Sequence, residues 1–302
     1  MDNLNLEKSK NNNKAIISTY EIIKNVGYDK YGELFLVSSI VNKIDDEKLF
    51  IMEKIEVKPM NIKFELIKKL ELLKEIESKY IIKIYDYFFE KVNEKDFIFI
   101  IMEYCKNGNL DNIIYETNYL NQRTIWRIFI QLTLGLKLLH KNNIILQSLS
   151  PKSIYMDEKN NIKIGGLDKI FEFYNWYHLL KESEDLFSYI SPEMLQGIFS
   201  DKCDSWSLGC ILYELLFKQR PFEYEYDEQY NYILKNKFEI PDSCEDDFKI
   251  MLSKLLCKDK NRLSIGEIVY NGIFKQKIIE TNIFDEIISN RINGKYILIN
   301  IV

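Results

Sequence analysis

Apolar and polar positions along this chain follow two rhythms, and the change between them falls near residue 104. Ahead of that point the pattern is mostly strand-like. Tyr20 to Val41 ("YEIIKNVGYDKYGELFLVSSIV") reads as two strands around a glycine-bearing turn. Lys48 to Val57 ("KLFIMEKIEV") reads as a third, with apolar and charged residues interleaved. Pro59 ends the extended stretch. The period then lengthens: Leu66, Leu70 and Leu73 recur at spacings of four and three with charges between them, which predicts one helix over 64–76. "IIKIYDYFFE" and "DFIFIIMEY" predict two further strands joined by the charged turn "KVNEK".

After the polar connector "CKNGNL", helical spacing dominates. Ile125, Ile128, Phe129, Leu132, Leu136 and Leu139 form one stripe. Two short strands, "IYM" and "NIKIGG", bracket the turn "DEKN". The stretch 171–189 is rich in aromatics and reads as a loop, which serves either as a contact surface or as a plug for the site below it. "DSWSLGCILYELLF" is apolar almost all round and predicts a buried helix, and "DDFKIMLSKLLC" and "IGEIVY" predict two more. In the last segment Ile279, Ile283, Ile287 and Ile288 suggest an amphipathic helix ahead of a strand, "YILINIV". Such a helix either packs on the helical region or docks on a partner.

Composition narrows the classes. The 302 residues are enough for two lobes with a substantial core, and the net charge of −5 argues against a general nucleic-acid binder. No apolar run approaches the ~20 residues of a membrane helix. The polar start "MDNLNLEKSKNNNK" lacks an apolar central run, so no export signal is expected. The five cysteines show neither metal-ligand nor disulfide-framework spacing, which predicts reduced thiols in the cytoplasm or nucleus.

The motifs carry a resemblance. "YISPEML", then "DKCDSWSLGCILYELLF" followed by "RPF", then "LLCKDKNRLSIGEI", together with "IIMEYCKNGNL" earlier, resemble the protein kinase family of eukaryotes over about Tyr20 to Phe274. The resemblance implies a bilobal α+β fold: a small antiparallel sheet lobe with one helix, then a larger, mainly helical lobe. Read this way, 1–18 is a polar extension, 19–103 the first lobe, 104–274 the second, and 275–302 a tail. It also implies that Glu193 pairs with Arg262, and that Asp204 anchors the loop around Leu146 to Leu149.

The reagents of the family are another matter. Phosphoryl transfer needs phosphate positioning, metal ions and a group that orients the acceptor. The glycine loop runs from Gly27 through Gly32 to Leu34, with Asp29 where the middle glycine belongs, so it reads as an ordinary hairpin turn. Glu53 stands at the place of the phosphate-gripping lysine. Lys54 is adjacent but on the opposite face of the strand. The helix position that would pair with that lysine is Lys69, which suggests an inverted Glu53–Lys69 pair; two unrelated solvated charges fit the sequence equally.

The catalytic loop reads Leu146-Gln147-Ser148-Leu149-Ser150-Pro151-Lys152-Ser153. Ser148 replaces the acceptor-orienting aspartate, Ser150 a phosphate-contacting lysine, Ser153 a magnesium-binding asparagine, and Gln147 an arginine. Gly166 falls at the metal-binding aspartate, with Asp168 two residues on as a turn or helix-start residue. Gly27, Gly32, Leu34, Ile51, Met102, Glu103, Cys105 and Tyr155 fall at nucleotide-pocket positions, and Ile51 and Tyr155 are expected to fill the adenine slot themselves. Leu73, Ile84, Leu146 and Leu167 map onto an apolar column. Leu186 takes the place of a threonine that touches the catalytic loop. His140, at a helix end, and His178 receive no role, and Ser183, Ser188 and Tyr189 are candidate phosphorylation sites that nothing in the sequence distinguishes from surface hydroxyls.

The expectation is a pseudokinase: a kinase-like domain without catalysis, acting as scaffold or allosteric regulator of a protein partner such as an active kinase or a signalling assembly. No cofactor, metal, nucleic acid or membrane is expected. The alternative is an unconventional serine/threonine kinase, slow ATPase or nucleotide-binding switch that keeps ATP and magnesium.

Overall fold

The computed structural model describes residues 19–28, 32–40, 48–57, 60–117, 119–147, 149–166, 184–223 and 226–283. The chain divides into two compact units. The first holds residues up to Ser78 and Ile82–Cys105; the second holds Lys79–Ile81 and everything from Lys106. The break thus lies two residues beyond Glu103, and the three residues Lys79–Ile81 group with the helical unit.

The first unit is an antiparallel sheet of five strands, β1 (Tyr20–Tyr28), β2 (Gly32–Ser39), β3 (Leu49–Glu56), β4 (Ile84–Val92) and β5 (Lys95–Glu103), in the order β1-β2-β3-β5-β4. Helix α1 (Met60–Glu75) lies between β3 and β4 in the chain and packs against β4. Leu66, Leu70 and Leu73 are its buried stripe; full burial of such a side chain stabilises by roughly 1.5–3 kcal/mol. One face of the sheet carries an aromatic core: Val37, Phe50, Met52, Phe99 and Ile101 are buried, with Tyr20, Phe35, Tyr85 and Phe88 packed against them. Phe88 stacks on Phe99 at 5.0 Å. Alternation along β3 sends Ile51, Glu53 and Ile55 to the other face. The register sets Ile51 between Leu36 and Met102, and Glu53 between Leu34 and Ile100.

The second unit is helical around one two-stranded ribbon. Its elements are α2 (Leu110–Glu116), α3 (Gln122–Lys141), β6 (Ile154–Met156), β7 (Ile162–Ile164), α4 (Glu184–Phe187), α5 (Lys202–Phe217), α6 (Tyr226–Lys235), α7 (Asp246–Leu255), α8 (Ile265–Tyr270) and α9 (Gly272–Glu280). The stripe on α3 is buried, and α5 is buried almost throughout, as its unbroken apolar sequence requires. Gly209 lets α5 approach the end of α7: a β-carbon there would lie 2.9 Å from Leu255. Trp206 stacks on Phe222 at 5.2 Å, and Trp126 on Phe248 at 4.4 Å.

The tail helix differs from its reading in the sequence. α9 begins at Gly272, capped by the Asn271 side chain, and buries Phe274, Lys277 and Ile278, while Ile279 is 68% exposed. The helix is phased from its cap, so the inward stripe is set by Phe274 and Ile278. It packs on α3: Phe274 meets Phe129, and Arg127 donates to the Thr281 carbonyl at 3.1 Å. The remainder of the tail, with Ile287, Ile288 and "YILINIV", lies outside the described residues. Among the described residues no helix is long and apolar enough to cross a membrane.

Candidate functional site

The loop that follows α3 is organised by one side chain. Asp204 sits in the first turn of α5 and is fully buried. Its carboxylate accepts from the Leu146 N–H at 3.0 Å, the Gln147 N–H at 2.7 Å and His140 Nε2 at 2.7 Å. Three donors meet the charge, so its removal from water is compensated. The arrangement also holds Gln147 at a left-handed φ of 60°, a backbone choice that costs a non-glycine residue roughly 1–2 kcal/mol. His140, which has no assigned role in the sequence, is therefore a partner of this anchor. Its place at the last turn of α3 hides that role, because a histidine there also suits the helix dipole.

The loop continues into a single turn of 3₁₀ helix, Pro151–Ser153, with its proline at the first position. Ser150 and Ser153 are both buried. The Ser153 hydroxyl donates to the Ser150 carbonyl at 2.9 Å and accepts from the Ser150 N–H at 3.2 Å. Gly165 N–H donates to the Ser153 carbonyl at 2.8 Å, which brings the end of β7 beside the turn. Gly166 follows with φ 65°, a conformation open to glycine without strain. Leu146 is buried, and Tyr155 is half-buried on β6, paired with Lys163 and bridged to Asn109. Ser148, Leu167, Asp168 and His178 lie outside the described residues, as does Asp29 in the first unit.

A second buried charge pair fixes the region after α4. Arg262 forks onto Glu193: Nη1 bonds Oε1, and Nη2 donates to Oε2 at 3.1 Å. The guanidinium also donates to the Lys202 and Cys257 carbonyls at 3.0 and 2.8 Å and lies over the Trp206 ring at 4.9 Å. Every donor that leaves water finds a partner, the condition under which such a pair is tolerated. Between these anchors, Ser188 and Tyr189 are buried rather than surface hydroxyls. Gln229 donates to the Ser188 hydroxyl at 2.9 Å, and Ser207 to the Tyr189 carbonyl at 2.8 Å. The Tyr189 hydroxyl bonds Glu214 of α5, which also accepts from Tyr115 at 2.6 Å. Burial pushes the Glu214 carboxyl above its ordinary range, with the tyrosine hydrogen bonds and Arg220 opposing it.

In the first unit, Glu53 is 1% exposed and Lys69 is half-buried on α1. Lys54 is on the aromatic face, 3.3 Å from Glu33 and 4.7 Å from the centre of the Phe97 ring. Gly27 has φ 139° and room around its α-carbon. Gly32 is different: a β-carbon there would run into the Lys54 carbonyl, so this glycine serves the β2–β3 contact. Leu34 and Ile51 are half-buried on the Glu53 face, as is Met102 beside Ile51. Leu73 and Ile84 are buried. Glu103 accepts from the Lys83 N–H at 3.2 Å, and Cys105 is buried at the end of the unit. Leu186 is half-buried in the second unit.

The five-strand sheet with one helix, the helical unit and the Asp204 and Arg262 anchors together define a protein kinase domain. A protein kinase domain family model matches residues 20–274, and the chain belongs to that family. Among its relatives, the human serine/threonine-protein kinase Nek2 is 28% identical over 278 residues, which cover 86% of this chain and 61% of that protein. The probable serine/threonine-protein kinase nek2 of Dictyostelium discoideum is 29% identical over 286 residues, covering 88% and 65%. The SNF1-related protein kinase catalytic subunit alpha KIN12 of Arabidopsis thaliana is 27% identical over 269 residues, covering 87% and 52%. The chain thus spans less than two thirds of the length of these relatives.

Proposed function

We propose that this kinase-family domain is a pseudokinase, which works by presenting a kinase-shaped surface to a protein partner rather than by transferring phosphate. The observation that carries the reading is the loop itself. Asp204 holds its backbone through Leu146 and Gln147, while the described positions that would supply chemistry are Leu146, Gln147, Ser150, Ser153 and Gly166. A serine without an activating base is a poor substitute for a carboxylate.

The magnesium–nucleotide complex of the family does not fit these residues. Glu53, buried on β3, puts an acid where the family would place a phosphate-gripping cation. Gly166 offers no side-chain ligand, and the Ser153 hydroxyl is engaged on both sides by the Ser150 backbone. Magnesium requires several oxygen ligands in near-octahedral array. In this reading the domain is a scaffold or allosteric regulator for an active kinase or a signalling assembly, in the cytoplasm or nucleus. No cofactor, nucleic acid or membrane takes part.

Thermal denaturation with ATP alone, with Mg²⁺ and with Mn²⁺ tests this. A ligand at a hundredfold excess over its Kd stabilises by ~2.7 kcal/mol. The expected result is an unchanged Tm in all three. A metal-independent rise points instead to a nucleotide switch, and a rise that needs the metal overturns the reading.

A further inference from the structure

Helices α3, α8 and α9 pack on one another in the second unit. Tyr270 ends α8 and is 56% exposed. A lysine from each neighbouring helix leans on its ring: the Lys137 ammonium of α3 is 5.2 Å from the ring centre, and that of Lys275 on α9 is 6.0 Å from it. Lys141 follows Lys137 by about one helical turn and lies on the same face of α3. Both lysines on the ring are half-buried. Burial, and after it the charge of Lys141, hold the Lys137 ammonium below its ordinary range. Among the described residues none of these lysines pairs with a carboxylate, and the Tyr270 hydroxyl meets no hydrogen-bond partner.

Lys277, also on α9, shows how this fold completes such a setting. It too lies over an aromatic ring, that of Trp126 at 5.5 Å. It is taken further out of water, and it is met by Asp247 at 2.9 Å and Glu280 at 3.0 Å. Lys137 and Lys275 have the ring and lack the anion. An ammonium that leaves water costs free energy unless its charge is paired. Tyr28 and Tyr119 are more exposed than Tyr270, but among the described residues no ammonium lies over either ring. What sets Tyr270 apart is a free hydroxyl beside unpaired cations.

We infer that Tyr270 is a phosphorylation site, and that Lys137 and Lys275 close on its phosphate and fasten α8 to α3 and α9. The donor is ATP, with a tyrosine kinase acting in trans. The bond from the γ-phosphorus to its bridging oxygen breaks and a new one forms to Tyr270 Oη. The hydroxyl proton leaves to solvent, and ADP is the other product. The phosphate ester brings about −1.5 to −2 charges and three acceptor oxygens to the edge of the ring, which suits ammoniums arriving from two helices. The site lies within the second unit and does not depend on whether the domain itself transfers phosphate.

The test treats the full chain with ATP, Mg²⁺ and a purified tyrosine kinase of broad specificity, and maps the modified residues by mass spectrometry. Tyr270 is expected among them. Phosphorylation is expected to raise Tm by at least about 2 °C, and Tyr270→Phe, treated in the same way, to lose that rise. The ³¹P resonance of the ester is expected to titrate below its position in urea, where it ionises near about pH 6, because the lysines favour the dianion. Lys137→Gln combined with Lys275→Gln removes both effects and leaves the acceptor in place. The inference is overturned by a map that lacks Tyr270, by a Tm that stays or falls when Tyr270 is modified, or by a ³¹P titration that the two lysine changes leave unmoved. The map stands even where a lysine variant does not fold.

Discussion

Asp204 in the helical unit and Glu53 in the sheet unit are both carboxylates taken almost wholly out of water. Asp204 gathers two backbone N–H groups and His140, and through them shapes the loop that follows α3. Glu53 stands in a strand register between Leu34 and Ile100 and is buried there. At position 204 the fold itself depends on the charge and its geometry. At position 53 the resemblance to the kinase family implies a cation for the family's ligand, and the sheet forms with a glutamate in its place. The comparison separates residues that make the shape from residues that served the chemistry.

The largest effects belong to the shape. Arg262→Ala leaves Glu193 buried without its fork, and removing one partner of such a pair costs roughly 3–5 kcal/mol. Asp204→Ala strands two N–H groups and is expected to fall in the same range. Urea denaturation measures both; a loss under ~1 kcal/mol in either breaks the first half of the comparison.

The second half is sharpened at Glu53. If the pair with Lys69 is inverted relative to the family, Glu53→Lys and Lys69→Glu each destabilise, and the double exchange recovers a coupling of ~0.5–3 kcal/mol. Simple additivity of the two changes removes the pair from the account.

A further buried carboxylate, Glu214, tests the rule by pH. Burial raises the Glu214 carboxyl in the folded chain, so between its unfolded value, about 4.3, and its raised folded value the native state holds more protons than the unfolded one. Stability therefore falls as pH rises through that window, the reverse of a salt-bridged carboxylate. Glu214→Gln is expected to flatten this slope in Tm against pH. An unaltered slope assigns it elsewhere.

The smallest effect sets the scale. Ser264 and Glu267 form a reciprocal cap on α8, with Ser264 N–H to Glu267 Oε2 at 2.8 Å. Ser264→Ala is expected to cost ~0.5–2 kcal/mol by denaturation, whatever happens at the two carboxylates.

Much of this was legible before any coordinates. The motifs around Glu193, Asp204 and Arg262 carry both identity and spacing, so the family and its two-part architecture follow from them. Alternation along β3 separates Glu53 from Lys54 for the same reason: the period of two is local. What escaped was set by distant partners. His140 looks like a helix-end residue until Asp204, 64 positions later, arrives beside it. Ser188 and Tyr189 look like loop hydroxyls because their partners sit on α5 and α6. The Tyr20–Phe50–Tyr85 packing joins strands that are not adjacent in the sheet, and no periodicity within one strand announces it. Of the tail stripe, Ile283 is buried as its spacing predicts, whereas Ile279 points outward because α9 turns Phe274 and Ile278 inward.

The most direct test of the central claim is transfer of labelled γ-phosphate from ATP, with Mg²⁺ or Mn²⁺, to the chain itself and to a generic protein substrate. Asp168→Ala is run beside it, since that aspartate is the nearest carboxylate in sequence to Gly166, which the resemblance places at the family's metal position. The account predicts no incorporation above the blank for either chain. Incorporation by the unaltered chain that disappears in Asp168→Ala would contradict it.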